Sequence, residues 1–567
     1  MLAGRAGSLL PALLLFLTLR AGAADKDPWV RIASANFELF TTAGDRAGRD
    51  LVKHFEQVHS FFVGRFKMMS SDATRKPRVI LFRSEKEFEP YRPNEFASAF
   101  YHPGEYHDFI VMNNSIGESR SVAVHELTHL MVHQIGLELP VWLNEGLAEL
   151  YSNLEPTGSK IRVGRDIPRH MRVLAAEKWI DLRTLLAVDH NSPFYNERSH
   201  AGMFYAESWK LVHMLHLHPE YGPHLTDLLR ALPKGTAEAA FQTAYGKSLD
   251  VVDRELHAYL SGGTISVYLF DIQLPKSIDA PEIEAGASMF ARLALAEMLS
   301  NTRGRSEQAR TAYASIAADY PGRWEVEDAM GLFAWRERKL DDAIRYFAKA
   351  EEMGCKDGGM FLLWGRVLGY ANRTGDAVVA LGKASKLLQE SDDVQLELGN
   401  ALIRNGNWGS GVAVLRTVHV SKVPAAGMWR YYYNLAYGLY KLGDVAGAKL
   451  LVASARTHAV GARETAPLDQ LAAALERPVR GAAPAAVEGT LESMECGNVA
   501  RLHVRVDGAV KIFVIPDPGA ITVASGSGEP VELECGVQKK AAAIRVEYQA
   551  VGGDAEVAGL VRSLAFK

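Results

Sequence analysis

Five consecutive residues carry the most legible chemistry in the chain: His125-Glu126-Leu127-Thr128-His129. Four residues is about one helical turn, so in a helix His125 and His129 project from one face. Both imidazoles then reach a single metal ion at ~2.0–2.1 Å, the usual zinc–nitrogen distance. Glu126 stands one residue past the first imidazole, beside the metal position rather than on it. There it can take a proton from water activated by the metal. A catalytic zinc keeps three protein ligands and one open position, so a third ligand is needed. His133 is four residues further on, but His125 to His133 spans about 12 Å of straight helix. One ion cannot bridge that, and His133 is expected at the surface or in packing. The pattern with a third histidine six residues after the second, preceded by a glycine, fails: Val132 and Ile135 hold those positions.

The helix carrying the pair has readable ends. Ser115 and Glu118 form a capping box, apolar residues run through Val122, Val124, Leu127, Leu130 and Met131, and Gly136 is a stop signal. A second helix opens at Pro140, which suits a first helical position. It runs Pro140-Val141-Trp142-Leu143-Asn144-Glu145-Gly146-Leu147-Ala148-Glu149-Leu150. The short loop between the helices predicts antiparallel packing, which returns Glu145 to the histidine pair. Glu149 is one turn further on the same face and can hydrogen-bond the free ring nitrogen of a ligand histidine. The bland alternative is an exposed acidic face. Trp142, Leu143, Leu147, Ala148 and Leu150 around the two acids argue against it.

With these residues in view, the chain resembles a known family. His125-Glu126-x-x-His129 followed by Trp142-Leu143-Asn144-Glu145-Gly146-Leu147-Ala148 is similar to the gluzincin metallopeptidases, and more closely to the peptidase-MA-like domains of bacterial secreted proteins. The resemblance covers residues 28–260 and is most specific over 125–149. It implies zinc ligands His125, His129 and Glu145, one Zn2+ per chain, with Glu126 as general base. Glu149 then matches the carboxylate that orients a ligand histidine. Fifteen residues separate His129 from Glu145, fewer than in aminopeptidase N or thermolysin, which leaves Glu149 as the competitor for the third position. No GxMEN-like segment precedes the motif, so aminopeptidase specificity is not implied. The oxyanion of a hydrolysed carbonyl needs a second donor. Tyr205 resembles the tyrosine often found on a downstream helix, with a packing role as its alternative. His102 and His107 precede a strand at 109–112, expected to be the edge strand along the substrate.

The elements that must position these residues follow an α+β order. Residues 36–42 alternate as a strand, 44–68 carry apolar residues at helical spacing, 78–82 and 109–112 are strands, and helices follow to about 260. Pro275, Pro281 and Gly286 mark a break. Beyond it Ala309, Ala343, Ala377 and Gly411 recur every 34 residues, each with an apolar residue four positions on: Tyr313, Phe347, Leu381, Leu415. A further copy begins at Ala448. This period resembles tetratricopeptide repeats, which implies a protein partner bound by a helical solenoid. An Ala/Pro-rich linker at 482–486 precedes alternating runs at 502–506 and 510–514 around Asp507-Gly508, a hairpin signal, and further strands at 531–534 and 544–548.

The expected fold class is multidomain. A zincin-like α+β catalytic domain spans 28–265, an all-α repeat solenoid 285–475, and a small all-β domain, sandwich or barrel, 487–567. Residues 1–24 read as a secretory signal peptide: Arg5, an apolar run from Leu9 to Leu19, then small residues before Asp25. That predicts a secreted or periplasmic protein with no membrane span after cleavage. The three cysteines are too few for a disulfide scaffold, though an oxidising compartment allows Cys496 and Cys535 to pair, with Cys355 left over in a helical region as a small buried apolar residue. At 567 residues, 48% hydrophobic, 23% charged and net −4, the chain lacks the basic surface a nucleic-acid partner needs. The function expected is a secreted zinc peptidase acting on a protein or peptide. The alternatives are an extracytoplasmic repeat scaffold with a degenerate or structural metal domain, and a hydrolase of some non-peptide amide.

Overall fold

The computed structural model describes residues 28–66, 76–93, 97–104, 106–114, 119–134, 138–196, 198–261, 265, 267–274, 280–442, 444–476, 485–496, 500–515, 521–525, 535–550 and 557–567. The chain forms two compact units. The first takes its described residues from those up to Arg65, Pro77–His102 and Phe109–Ala291; the second takes Phe66, Lys76, Pro103–Asp108 and Arg292–Lys567.

The first unit opens with β1 (Val30–Ala33), β2 (Glu38–Thr41), α1 (Asp45–Phe66), β3 (Arg78–Phe82), α2 (Glu85–Phe88), β4 (Ala99–His102) and β5 (Phe109–Asn113). Its helical part holds α3 (Ser119–Gln134), α4 (Val141–Ser152), α5 (Pro168–Ala176), α6 (Leu182–Leu186), α7 (Pro193–Asn196), α8 (Arg198–Leu217), α9 (Leu225–Ala231), α10 (Ala237–Tyr245) and α11 (Leu249–Ala258). Strands β6 (Glu155–Thr157), β7 (Lys160–Val163) and β8 (Tyr268–Asp271) make a small second sheet, and β9 (Glu282–Ala285) closes the unit.

The main sheet has the order β4-β5-β3-β2-β1-β9. β2, β3 and β5 are parallel, with α1 as the crossover between β2 and β3; the remaining pairs are antiparallel. This corrects two expectations. Every residue of β5 is buried, as befits a central strand, and the edge is β4, which ends in His102. The segment around Pro281 and Gly286 is not merely a break, because β9 pairs with β1. The capping residues Ser115 and Glu118 and the stop at Gly136 lie outside the described residues, as does Pro275. α4 begins one residue after Pro140, which is its N-cap.

The second unit begins in α12 (Ser288–Asn301) and continues through α13 (Ser306–Asp319), α14 (Trp324–Arg336), α15 (Leu340–Glu352), α16 (Gly358–Tyr370), α17 (Thr374–Leu387), α18 (Asp392–Arg404), α19 (Trp408–Thr417), α20 (Ala425–Lys441), α21 (Val445–His458) and α22 (Ala462–Leu475). Successive helices pair as hairpins, α14 with α15, α16 with α17, α18 with α19 and α20 with α21. Ala343, Ala377, Gly411 and Ala448 are buried on the second helix of each pair, and Ala309 is buried on α13. A matching register of glycines sits on the first helices. A Cβ on Gly331, Gly365 or Gly399 would lie 2.6, 2.4 or 2.6 Å from Phe347, Leu381 or Leu415. The side chain that repeats every 34 residues therefore lies on bare backbone, which lets the paired helices close.

The C-terminal part is a barrel. β10 (Ala485–Glu495), β11 (Ala500–Val506) and β12 (Ala509–Ile515) form a meander, β14 (Gly536–Ala550) pairs with β10, and β15 (Val557–Phe566) pairs antiparallel with β14 and parallel with β12, closing the ring. β13 (Thr522–Ser525) lies against β15. This is the connectivity of an OB-type Greek-key barrel. The Asp507-Gly508 turn joins β11 to β12, with both residues at positive φ. Ala485 and Ala486, expected in a linker, belong to β10; the strand expected at 531–534 lies outside the described residues. Cys496 and Cys535 form a disulfide and Cys355 is a buried free thiol. Among the described residues no helix is long and apolar enough to cross a membrane.

Candidate metal centre

α3 buries Ala123, Val124, Leu127, Leu130 and Met131, which turns His125 and His129 to its other side, towards α4. α4 is buried along nearly its whole length, packed between α3 and α8. Gly146 permits this: a Cβ there would stand 2.5 Å from the Ser208 carbonyl oxygen on α8. The neighbouring Glu145 is thereby held 4% exposed against the histidine pair.

His125, His129 and Glu145 come together as a group able to hold a metal ion. His125 Nε2 and His129 Nε2 are 3.1 Å apart, and Glu145 Oε2 lies 3.3 Å from the first and 3.5 Å from the second. Tetrahedral ligands at ~2.0–2.1 Å from one ion stand about 3.3–3.4 Å from each other. The triangle has the size of one tetrahedral face. Glu145 Oε2 is buried and makes no other hydrogen bond.

The outer contacts fix which atoms face inward. His129 Nδ1 lies 3.2 Å from Asn144 Oδ1, and His125 Nδ1 lies 3.4 Å from Glu149 Oε1. With the proton on Nδ1 each ring would be directed at an acceptor, which would leave both Nε2 atoms able to hold a metal. Glu149 is itself gripped: His170 Nε2 on α5 is 2.7 Å from its Oε2, and Arg169 is 3.9 Å from Oε1. Glu149 therefore stands behind His125 rather than beside Glu145, which separates the two candidates for the third position. Glu126 Oε2 accepts the Tyr101 main-chain N–H of β4 at 2.7 Å.

The charges follow from this packing. Burial pulls the His125 imidazole down, but the Glu145 hydrogen bond and the charges of Glu149, Glu126 and Glu145 outweigh it and push it up to about 9. Burial works to raise Glu145, but hydrogen bonds from His125 and His129 hold its carboxyl well below the usual carboxylate range. Glu149 is likewise lowered against its burial, chiefly by His170.

Tyr205 of α8 lies near the site, its ring tilted to that of His125 with centroids 6.4 Å apart, and a second tyrosine joins it: the hydroxyl on Glu145 is that of Tyr195 of α7, 3.1 Å from Oε1. Burial, reinforced by Glu145, raises both phenols far above their ordinary value, so each stays a neutral donor. Of the other histidines, His133 is exposed. His107 falls within the second unit, its Nδ1 3.0 Å from Glu297. Asn144, His170, Tyr195 and the Tyr101 amide were not found by sequence reasoning. Asn144 had a local signal, its place beside Glu145; the others are brought in from 21 to 50 residues away.

Residues 110–262 match a family model described as Peptidase MA superfamily. Residues 110–262 are thus similar to a Peptidase MA superfamily domain, and the paired helices with their 34-residue period form a helical repeat array. Solved structures that match it include YrrB, described as a TPR protein with an unusual peptide-binding site, at 17% identity and a TM-score of 0.29 over 32% of this chain and 90% of that one. PilF of Pseudomonas aeruginosa matches at 15% identity and a TM-score of 0.26 over 34% and 93%. A tetratricopeptide repeat protein from Parabacteroides merdae matches at 12% identity and a TM-score of 0.26 over 45% and 86%. No curated protein matches the chain.

Proposed function

We propose that the first unit is a zincin-like metallopeptidase domain that hydrolyses peptide bonds of a protein or peptide substrate. One observation carries the reading: the 3.1–3.5 Å triangle of His125 Nε2, His129 Nε2 and Glu145 Oε2, with every outer nitrogen of the two histidines directed at an acceptor. Two neutral imidazoles and one carboxylate suit zinc, and they leave a fourth position open.

When bound, the zinc ion polarises a carbonyl and makes water acidic near neutral pH. Glu126 takes the proton of the attacking water and returns it to the leaving amine. Its resting bond to the Tyr101 amide holds its carboxylate beside the edge strand β4, where an extended substrate can lie. Tyr195 and Tyr205, both kept protonated, offer hydroxyl donors for the oxyanion. Tyr195 in addition holds Glu145 in place. Asn144 and Glu149 keep the ligand imidazoles in the Nδ1–H form.

The Cys496–Cys535 disulfide supports placing the chain outside the cytoplasm, in keeping with the apolar N-terminal run. The repeats act in this reading as the receptor for a protein partner. The test is zinc content by mass spectrometry on residues 25–567, with casein digestion on the same samples. Wild type holds one zinc per chain and digests casein. Glu145→Ala loses the zinc. Glu126→Ala keeps it while turnover falls about 10²–10⁴-fold. A wild-type chain without zinc refutes the reading.

A further inference from the structure

On the reading of Glu126 as general base, we infer that the turn Pro103–Asp108 is a tether through which the second unit positions the edge strand β4, with Tyr106 and His107 as positioning residues for Glu126. β4 ends at His102 and β5 begins at Phe109, and the two strands pair in the main sheet of the first unit. The turn that joins them belongs to the second unit instead.

Two side chains anchor it there. His107 Nδ1 lies 3.1 and 3.0 Å from the two carboxylate oxygens of Glu297 on α12, and Glu297 is 4% exposed. A carboxylate so far from water is costly without a partner, which makes the pair hard to separate. Tyr106 packs against the apolar core of α14–α18 and lines a cavity with Trp335, Leu363, Gly365 and Leu381. Its Oη lies 2.7 Å from where a Cβ on Gly359 would stand, so that glycine gives the phenol room against α16.

The turn passes this anchoring back to β4. The Gly104 N–H donates to Asp108 Oδ1 at 3.1 Å, and a Cβ on Gly104 would fall 1.9 Å from the His107 carbonyl oxygen. Main chain lies on main chain, so what fixes His107 also fixes Gly104. Gly104 follows His102, the last residue of β4, after one proline. The Tyr101 N–H beside it holds Glu126 Oε2 at 2.7 Å. β4 has a paired strand on one side only, so its end restrains it more than it would a central strand. A shift of about 1 Å in a catalytic group can cost about 10²-fold in rate.

The test uses full-length 25–567 loaded with zinc. Labelled casein gives kcat and KM, chelator competition gives zinc affinity, and melting curves report folding. Hydrogen exchange read by mass spectrometry follows the amides of residues 99–102. Glu297→Leu, Tyr106→Ala and Gly104→Ala are expected to lower kcat about 10- to 100-fold with zinc affinity unchanged, and to speed exchange over 99–102 about tenfold. Gly104→Ala leaves every side chain of the repeats in place, so its loss cannot come from an unfolded array. Glu297→Gln keeps an oxygen beside His107 Nδ1 and recovers most of the kcat. The exposed control Arg345→Gln changes neither quantity. Wild-type kcat and wild-type exchange over 99–102 in Glu297→Leu and Tyr106→Ala overturn the tether. A wild-type chain with neither zinc nor turnover refutes the peptidase reading, and exchange over 99–102 then decides the tether by itself: faster in the three variants upholds it, unchanged overturns it.

Discussion

Two glutamates of the first unit are buried to a similar degree and behave in opposite ways. Glu149 on α4 is 8% exposed and Glu207 on α8 is 1% exposed, and these helices pack on each other. Glu149 lies between His125, His170 and Arg169, and those partners hold it ionised against burial. Glu207 accepts the Ile180 main-chain N–H at 2.9 Å, and burial pushes its carboxyl up to about 8. Lys210, one turn on, is pulled down to about 8 by burial, with its ammonium over the Trp179 ring. Burial alone therefore does not mark a working acid. The number and sign of its partners decide whether it is an anion that can orient a ligand or a neutral group that fills space.

The largest break in this contrast comes from removing the anion. Glu149→Leu strands His125 Nδ1 and His170 together and is expected to weaken zinc binding about 100-fold, at the upper end of effects for groups behind a ligand. Competition with a chromophoric chelator reads it directly, without recourse to activity. Unchanged affinity would show that Glu149 is merely buried, like Glu207. A smaller change separates charge from position. His170→Leu removes the 2.7 Å bond to Glu149 and should weaken zinc about tenfold. His170→Gln keeps an N–H donor and should restore most of the loss. Equal losses in Leu and Gln variants would assign His170 to packing.

The difference between what was and was not legible has a physical basis. His125, Glu126 and His129 are four residues apart at most, so helix geometry alone places them. Glu145 and Glu149 needed a second helix and a short loop, still local, and the ambiguity between them closes only when His170 arrives from α5. Tyr195 reaches Glu145 across 50 residues of chain, and nothing in its own neighbourhood predicts that. The Tyr101 amide on Glu126 leaves no mark in a sequence at all, since every residue but proline has one. The misplaced edge follows from length. Phe109–Asn113 is a short apolar run, and such a run fits a central strand as well as an edge. The repeats were read easily because their signal recurs every 34 residues. β9 was missed because all four of its residues are exposed, which leaves no apolar pattern.

The smallest effect on zinc affinity sharpens the comparison from the other side. Glu207 has a folded value of about 8, above the ordinary carboxylate value of 4.5. Such a group stabilises the fold fully at pH below the unfolded value, and the benefit is lost as pH rises through the folded one. Lys210 titrates in the adjoining window, from about 8 in the fold to 10.5 unfolded, so the interval from pH 5 to 8 belongs to Glu207. Glu207→Gln keeps an acceptor for the Ile180 amide and cannot ionise. Relative to wild type, the variant should gain less than about 1 kcal/mol at pH 5 and about 4 kcal/mol at pH 8. Calorimetric melting of the first unit across that interval measures the gap, and its zinc affinity should match wild type throughout. A gap that stays constant with pH would mean that Glu207 is ionised in the fold, and the opposition to Glu149 would fail.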